Sequence, residues 1–576
     1  FAMLALLKRL PVKASAVAIL FIVLQSVCAL CLPYVTARIV DNGIVPGDIP
    51  SILSDGALMM ALAVASLVAA VLGAYFVSRV SYEVGRDMRR DVYASVLRFS
   101  GKEFDDFGAA TLITRSANDV AQVQNVVEMG LKFLILAPIY LVCGIVLTWL
   151  LNPALALVFI GALPFLALAA YVVFRFAGPL YGRMQELLDG LNLRFREGLT
   201  GARVMRAFCR EQYEIERYGQ TNEAYRATAV KAATIMSAFI PLVTLFMGLA
   251  TAFIVWIGGG QIMAGEMQIG AVMGAITYAA QILMAFAILT SIIVLVPRAM
   301  VSARRVQEVI DHPVSVDDAE DAHAVACPQG KDLAFDHVGF RYAGADGRVL
   351  DDVSFSVQPG QTLAVVGGTG EGKTTLLNLV MRFADPEEGA VRLGGVDVRN
   401  CSLASVRAEV SIAPQRPMLF QGTIRSNLLM ARPDATEQDL WEALHIAAAD
   451  EFVRALPEGL DAVVDKAGGN FSGGQKQRLS IARALVKHAS VYLFDDALSA
   501  LDFKTEAVVR ARLAPRVADA VCVVVSQRAS AVLDADAIAV LDDGALAGFG
   551  RHEELIDGCD VYREIMHTQI QEEVAA

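Results

Sequence analysis

The chain has 576 residues, of which 55% are hydrophobic and 19% charged, with a formal net charge of −12 and a mean hydropathy of +0.49. That length allows at least two domains, and the apolar excess is above that of an ordinary soluble domain. The acidic balance argues against a nucleic-acid partner. Eight cysteines and seven histidines are scattered without paired ligand spacing, so neither a zinc site nor a disulfide framework is expected.

Taken in order, the apolar excess lies before about residue 300, in stretches at roughly 14–36, 57–78, 131–151, 153–174, 237–258 and 274–297. Crossing a hydrocarbon core of ~30 Å takes about 20 helical residues, and each stretch is long enough. The third and fourth are separated only by Asn152-Pro153, a turn that finds water at a membrane surface. Basic residues cluster before the first stretch (Lys8, Arg9, Lys13), between the second and third (Arg86 to Arg115), between the fourth and fifth (Arg175 to Arg206) and after the sixth (Arg298, Arg304, Arg305). The opposite connections carry Asp41, Asp48, Asp55 and Glu266. The positive-inside rule therefore sets both termini and the two long connections in the cytoplasm.

Those two connections have helical periodicity, over 81–99 and 180–208. They read as membrane helices extended into the cytoplasm, reversing near 102–108 and near 210–213, as lever arms toward a second domain. The stretches hold almost no ionisable side chains, which argues against proton coupling and for an apolar translocation surface. Gln25, Gln281 and Thr290 are available for orientation, and Phe239, Phe246, Met247, Met273, Met284 and Phe286 are candidates to line it. The competing reading of these apolar residues is ordinary helix packing.

After about residue 330, glycine-rich motifs take over. Gly367-Gly368-Thr369-Gly370-Glu371-Gly372-Lys373-Thr374 follows the strand-like Thr362–Val366 and precedes an apolar helix start. Strand, glycine loop and helix is the context a phosphate-binding loop requires, because backbone N–H groups and the helix N-terminus favour the anion. Lys373 is expected on the β- and γ-phosphates of ATP and Thr374 on Mg²⁺. A second buried strand, Val491–Phe494, ends in Asp495-Asp496, and Asp495 is the second candidate Mg²⁺ ligand. Between them, Phe471-Ser472-Gly473-Gly474-Gln475 opens another helix as a second anion-binding nest. One nucleotide does not need two such nests from one chain, so a composite site shared with another chain is expected.

At this point the chain resembles the ABC transporters, and over its full length a half-transporter of the exporter type, as in bacterial multidrug and lipid exporters. The resemblance implies an all-α membrane domain of six transmembrane helices with long cytoplasmic extensions, followed by an α/β P-loop ATPase domain whose helical subdomain carries the signature motif. The boundaries expected are 1–312, a linker at 313–329, and 330–576. By resemblance, Tyr342 stacks on adenine, Gly367 to Thr375 is the Walker A motif, and Gln415 is the Q-loop glutamine that senses Mg²⁺. Phe471 to Gln475 is the signature, with Phe for the usual Leu. Asp495 belongs to Walker B, and Ser499-Ala500-Leu501-Asp502 is the D-loop that touches the partner.

Three further residues depart from the family pattern. Asp496 stands where active members have Glu, and its carboxylate sits about 1 Å short of a water placed for Glu. Gln527 replaces the switch histidine and cannot become cationic. Glu371 occupies a position usually held by a small residue, and its charge is unfavourable near a triphosphate unless it points outward. An impaired Walker site with an intact signature favours pairing with a non-identical chain that carries the Glu and His, the alternative being a homodimer in which Asp496 serves as a weak base. The expected function is ATP-coupled export of an apolar drug, lipid or peptide across the bacterial cytoplasmic membrane. An exporter-fold importer, as for siderophores, and a regulatory ABC protein are the alternatives.

Overall fold

A computed structural model describes residues 9–318, 332–526, 528 and 532–575, without the side chains of 289–295, 297, 298 and 569–575. Two compact units are defined: 1–95 with 110–312, and 96–109 with 313–576.

The first unit is helical, and six of its helices are long and apolar enough to cross a membrane. They run well past the apolar stretches of the sequence. The second extends over Ile49–Arg98, the third over Ala109–Leu151, the fourth over Pro153–Thr200 and the fifth over Glu211–Met263. Leu67, Val71, Leu134 and Leu168 stand exposed. Two polar contacts tie distant parts of the chain: Tyr278 Oη donates to Leu30 O at 2.7 Å, and Asp41 accepts from Gly270 N at 2.6 Å. Gly270 must be glycine here, because a Cβ would lie 2.2 Å from Ala37 O. Asn152 caps the fourth helix by accepting from Ala154 N at 2.8 Å, with Pro153 at the first helical position, where no N–H is missed.

Two expectations need correction. The second cytoplasmic reversal falls at Phe208-Cys209-Arg210, where Cys209 adopts φ +50°. Glu211 to Tyr213 are instead the opening of the helix Glu211–Ser237, whose first-turn Glu211 and Glu214 favour its positive end. Phe239 and Met247 are buried in the helix-packing core rather than lining an open surface. Met273 and Met284 are exposed, and the side chain of Thr290 lies outside the described residues.

The second unit is α/β. In chain order its strands are β1 (Leu333–Phe340), β2 (Leu350–Val357), β3 (Thr362–Gly367), β4 (Glu388–Leu393), β5 (Val396–Asp397), β6 (Val410–Ala413), β7 (Gly422–Thr423), β8 (Val463–Val464), β9 (Val491–Asp495), β10 (Val521–Val525), β11 (Ala537–Asp542) and β12 (Ala545–Gly550). A six-stranded sheet has the order β12-β11-β3-β10-β9-β6. All its pairs are parallel except β11 with β12. The burial of every residue of β9 and β10 explains why both read as continuous apolar runs rather than as alternation. A four-stranded antiparallel sheet built on Leu333–Phe340 and Leu350–Val357 packs beside it. A helical core that includes Leu440, Leu444, Phe471, Leu479 and Leu485 carries the signature segment.

Candidate functional site

The parallel sheet brings the chemistry to one edge. β10 lies between β3 and β9, with Val525 in register with both Val365 and Asp495. The chain therefore leaves β3 at Gly367 and β9 at Asp495 on the same side, where open parallel sheets bind their ligands. The glycine loop after β3 leads into the helix Lys373–Val380. Gly372 adopts φ +89°, and a Cβ on it would lie 2.7 Å from Val349 O and 2.7 Å from Leu350 Cδ2.

A cavity of about 330 Å³ opens here, lined among others by Tyr342, Lys373, Thr374, Gln415, Asp495 and Asp496. Lys373 is buried and donates to Gly367 O at 2.8 Å and to Gly368 O. Burial lowers its pKa, against the raising effect of Glu371, Asp496 and Asp495. Thr374 Oγ1 lies 3.1 Å from both carboxylate oxygens of Asp495. Burial raises the Asp495 pKa, as does neighbouring Asp496, while the Thr374 hydrogen bond and Lys373 oppose the shift. Tyr342 is half-exposed, with its Oη 3.0 Å from Thr375 Oγ1 and its ring edge-to-face on Phe340 at 5.0 Å.

Asp496 sits at φ +47°, a left-handed conformation that Asp tolerates better than most residues. That turn aims the side chain at the cavity. Oδ2 accepts from Gln415 Nε2 at 3.4 Å, and Oδ1 is buried without a partner. Glu371 is held by a backbone group, its Oε2 accepting from Gly544 N at 3.2 Å in the turn between β11 and β12, and its charge still acts on Lys373. Gln527 lies outside the described residues. Its neighbour Arg528 binds the D-loop carbonyls, Ser499 O at 2.7 Å and Leu501 O at 3.1 Å.

The signature segment is elsewhere. Ser472 is the N-cap of the helix Gly473–Val486, in a reciprocal capping box with Gln475, and Ser472 and Gly473 are exposed. Phe471 is buried and its ring packs 6.5 Å from that of Phe452, so the larger side chain is absorbed by the helical core. No residue of Phe471 to Gln475 lines the Walker cavity. Asp502 caps the next helix by accepting from Thr505 N at 2.9 Å. The aromatic platform gives one direct prediction. Tyr342→Ala should weaken ATP binding by about tenfold, while Tyr342→Phe, which keeps the ring, should not; titration with a fluorescent ATP analogue measures both.

Six membrane-length helices followed by a P-loop ATPase unit define an ATP-driven membrane transporter. Residues 15–286 match the ABC transporter transmembrane region, and residues 350–499 match the ABC transporter family. An uncharacterized ABC transporter ATP-binding protein of Mycobacterium tuberculosis is 39% identical over 95% of this chain and 94% of that protein. The ATP-dependent lipid A-core flippase of Desulfotalea psychrophila is 30% identical over 84% of each. An ATP-bound bacterial Atm1-family ABC exporter superposes with a TM-score of 0.80 at 26% identity, covering 97% of this chain and 98% of that one. The chain belongs to the ABC transporter family. It is a multi-pass membrane protein of exporter architecture, with a cytoplasmic ATP-binding domain and ATP hydrolysis coupled to transmembrane transport.

Proposed function

We propose that this chain is one half of a two-chain exporter of apolar or amphipathic substrates, and that the second half is a non-identical chain. Its own Walker groups form the slow nucleotide site, and its signature motif completes the fast site of the partner. The observation that carries the two-chain reading is the separation described above: the Walker cavity contains no signature residue, and Ser472-Gly473 faces solvent. A nucleotide held by this chain's Walker groups thus meets a signature only from another copy or another chain. The non-identical partner follows from Asp496 and Gln527.

In the slow site, Lys373 and the loop N–H groups hold the β- and γ-phosphates, and Tyr342 supports the base. Thr374, Asp495 and Gln415 are oxygen donors of the kind Mg²⁺ takes, and the 3.1 Å approach of Thr374 to Asp495 supports their sharing one cation. Bound there, Mg²⁺ would neutralise phosphate charge. Asp496 offers its unpaired Oδ1 to the attacking water from a side chain one methylene short.

Asp496→Asn should leave steady-state ATPase of the purified pair within about twofold, whereas Ser472→Ala should lower it by about 10²-fold through the partner's site. Since Ser472 is also a helix cap, Ser472→Asn, which keeps a capping side chain, should show the same loss of turnover with normal folding. Loss of nearly all turnover in Asp496→Asn alone would instead make Asp496 the working base of a homodimer. Direction is decided by substrate entry into inside-out vesicles: ATP-dependent accumulation is export, and ATP-dependent depletion would return the importer.

A further inference from the structure

The short cytoplasmic helix Gly101–Phe107 lies in the ATPase unit, and one buried carboxylate joins it to the start of the chain segment that leads into that unit. Glu103 is 1% exposed. Its Oε2 accepts from Ser100 N at 2.7 Å and Ser100 Oγ at 2.6 Å, and its Oε1 accepts from Ser315 N at 3.0 Å. The hydroxyls of Ser100 and Ser315 are themselves 2.7 Å apart. Burial alone would raise the carboxyl pKa, but the hydrogen bonds from Ser100 and Ser315 prevail and hold it below the usual range. The group is an ionised, fully engaged latch rather than a surface charge.

The segment beyond Ser315 continues the connection. Asp317 O accepts from Arg382 Nη2 at 3.0 Å, and Asp318 Oδ1 accepts from Leu403 N at 2.6 Å. Arg382 is buried, at φ +50°, two residues beyond the end of the helix Lys373–Val380 that opens at the phosphate loop. Its other N–H groups bind Cys401 O and Asp385 Oδ1, each at 3.0 Å. A cavity of about 890 Å³ bordered by Ser100, Ser315 and Arg382 also reaches Tyr342 and Thr375, which line the Walker cavity as well.

We propose that Glu103 is a positioning residue for coupling: with Ser315, Asp317 and Arg382 it forms a permanent joint that carries nucleotide-driven movement of the Walker A helix into the helix Gly101–Phe107 and, through the chain, into the membrane helices on either side. The joint rests on the reading of this chain as an ATP-driven transporter, and it adds a route through residues 313–318 that no Walker, signature or Q-loop residue occupies. The exposed pair Arg98–Asp317, at 2.7 Å, contributes little beside it.

The test uses the full transporter in proteoliposomes, with Trp441→Phe and Cys209→Ser. Removing Trp441 leaves Trp149 and Trp256, the two tryptophans of this chain's membrane unit, as reporters. The readouts are ATP turnover and the change in tryptophan fluorescence on trapping with ATP and vanadate. Glu103→Ala should keep turnover within about twofold of wild type and lose at least about fivefold of the fluorescence response. Arg98→Ala should change neither. Adding Ser100→Cys and Ser315→Cys to Glu103→Ala and oxidising the pair should restore the response by replacing the carboxylate joint with a covalent one, and dithiothreitol should remove it again.

The proposal is overturned if Glu103→Ala responds like wild type, if turnover and response fall in proportion, or if the disulfide fails to restore the response. Should Glu103→Ala unfold, Glu103→Gln, which keeps the shape but gives up one carboxylate acceptor, decides by the same ratio. A wild-type transporter that hydrolyses ATP with no fluorescence response would overturn the transport reading itself, a result distinct from a failure confined to the variants.

Discussion

Gly372→Ala should nearly silence nucleotide binding at this chain's own Walker site. The residue stands at φ +89°, and its added Cβ would press on Val349 O, a backbone atom that cannot swing aside. Gly370 provides the internal comparison. It has φ +96° but no atom within 4 Å of its Cβ position, so Gly370→Ala imposes backbone strain without the collision. Strain of this kind costs about 1–3 kcal/mol, and each 1.4 kcal/mol is about tenfold in affinity. Gly370→Ala should therefore weaken binding of a fluorescent ATP analogue by about tenfold, and Gly372→Ala by about a hundredfold or more. Equal losses in the two variants would mean that the contact with Val349 is relieved by a shift of the loop.

Arg528→Ala should strongly destabilise the ATPase unit. The guanidinium pairs with Oε2 of Glu506, a residue 2% exposed whose Oε1 accepts no hydrogen bond. It also stacks 4.9 Å over the Phe503 ring. Removing one member strands a buried carboxylate, at a cost of about 3–5 kcal/mol. For a unit of this size the unfolding temperature should fall by roughly 6–20 °C, read by differential scanning fluorimetry of the purified transporter. Replacing both partners, as Arg528→Met with Glu506→Leu, should recover most of that loss. ATPase should stay depressed in the double variant, because the bonds from Arg528 to Ser499 O and Leu501 O are still gone. Recovery of both properties together would mean that the D-loop keeps its place without Arg528.

The strand, glycine loop and helix start around Gly367 to Thr374 were legible because they are local, and a buried apolar strand ending in Asp495 is visible as a run. The six membrane helices were legible for a similar reason, since hydrocarbon demands a continuous apolar length. Their cytoplasmic ends were harder, because amphipathic periodicity continues through a turn. The second reversal was placed at 210–213 for that reason, where the chain actually turns at Phe208 to Arg210 around the left-handed Cys209. What sequence spacing does not carry is long-range pairing. Glu371 reads as a misplaced charge until Gly544 arrives beside it from 173 residues away. Glu103 reads as one acid in a polar turn, and only its meeting with Ser315, 212 residues later, makes it a buried joint. Both partners are backbone N–H groups, which no side-chain pattern advertises.

The helix Ile49–Arg98 runs for 50 residues without a described break. At 1.5 Å per residue it is about 75 Å long, more than twice the hydrocarbon thickness it has to cross. A rod of that length magnifies angles. Tilting it by about 5° about one end sweeps the other through an arc of about 6.5 Å, more than the rise of a full helical turn. That displacement is sideways and comes to more than half the ~10 Å diameter of a helix. The geometry therefore lets a small hinge angle near Arg98 become a lateral shift of most of an interhelical spacing at Ile49, with the helix itself staying rigid throughout.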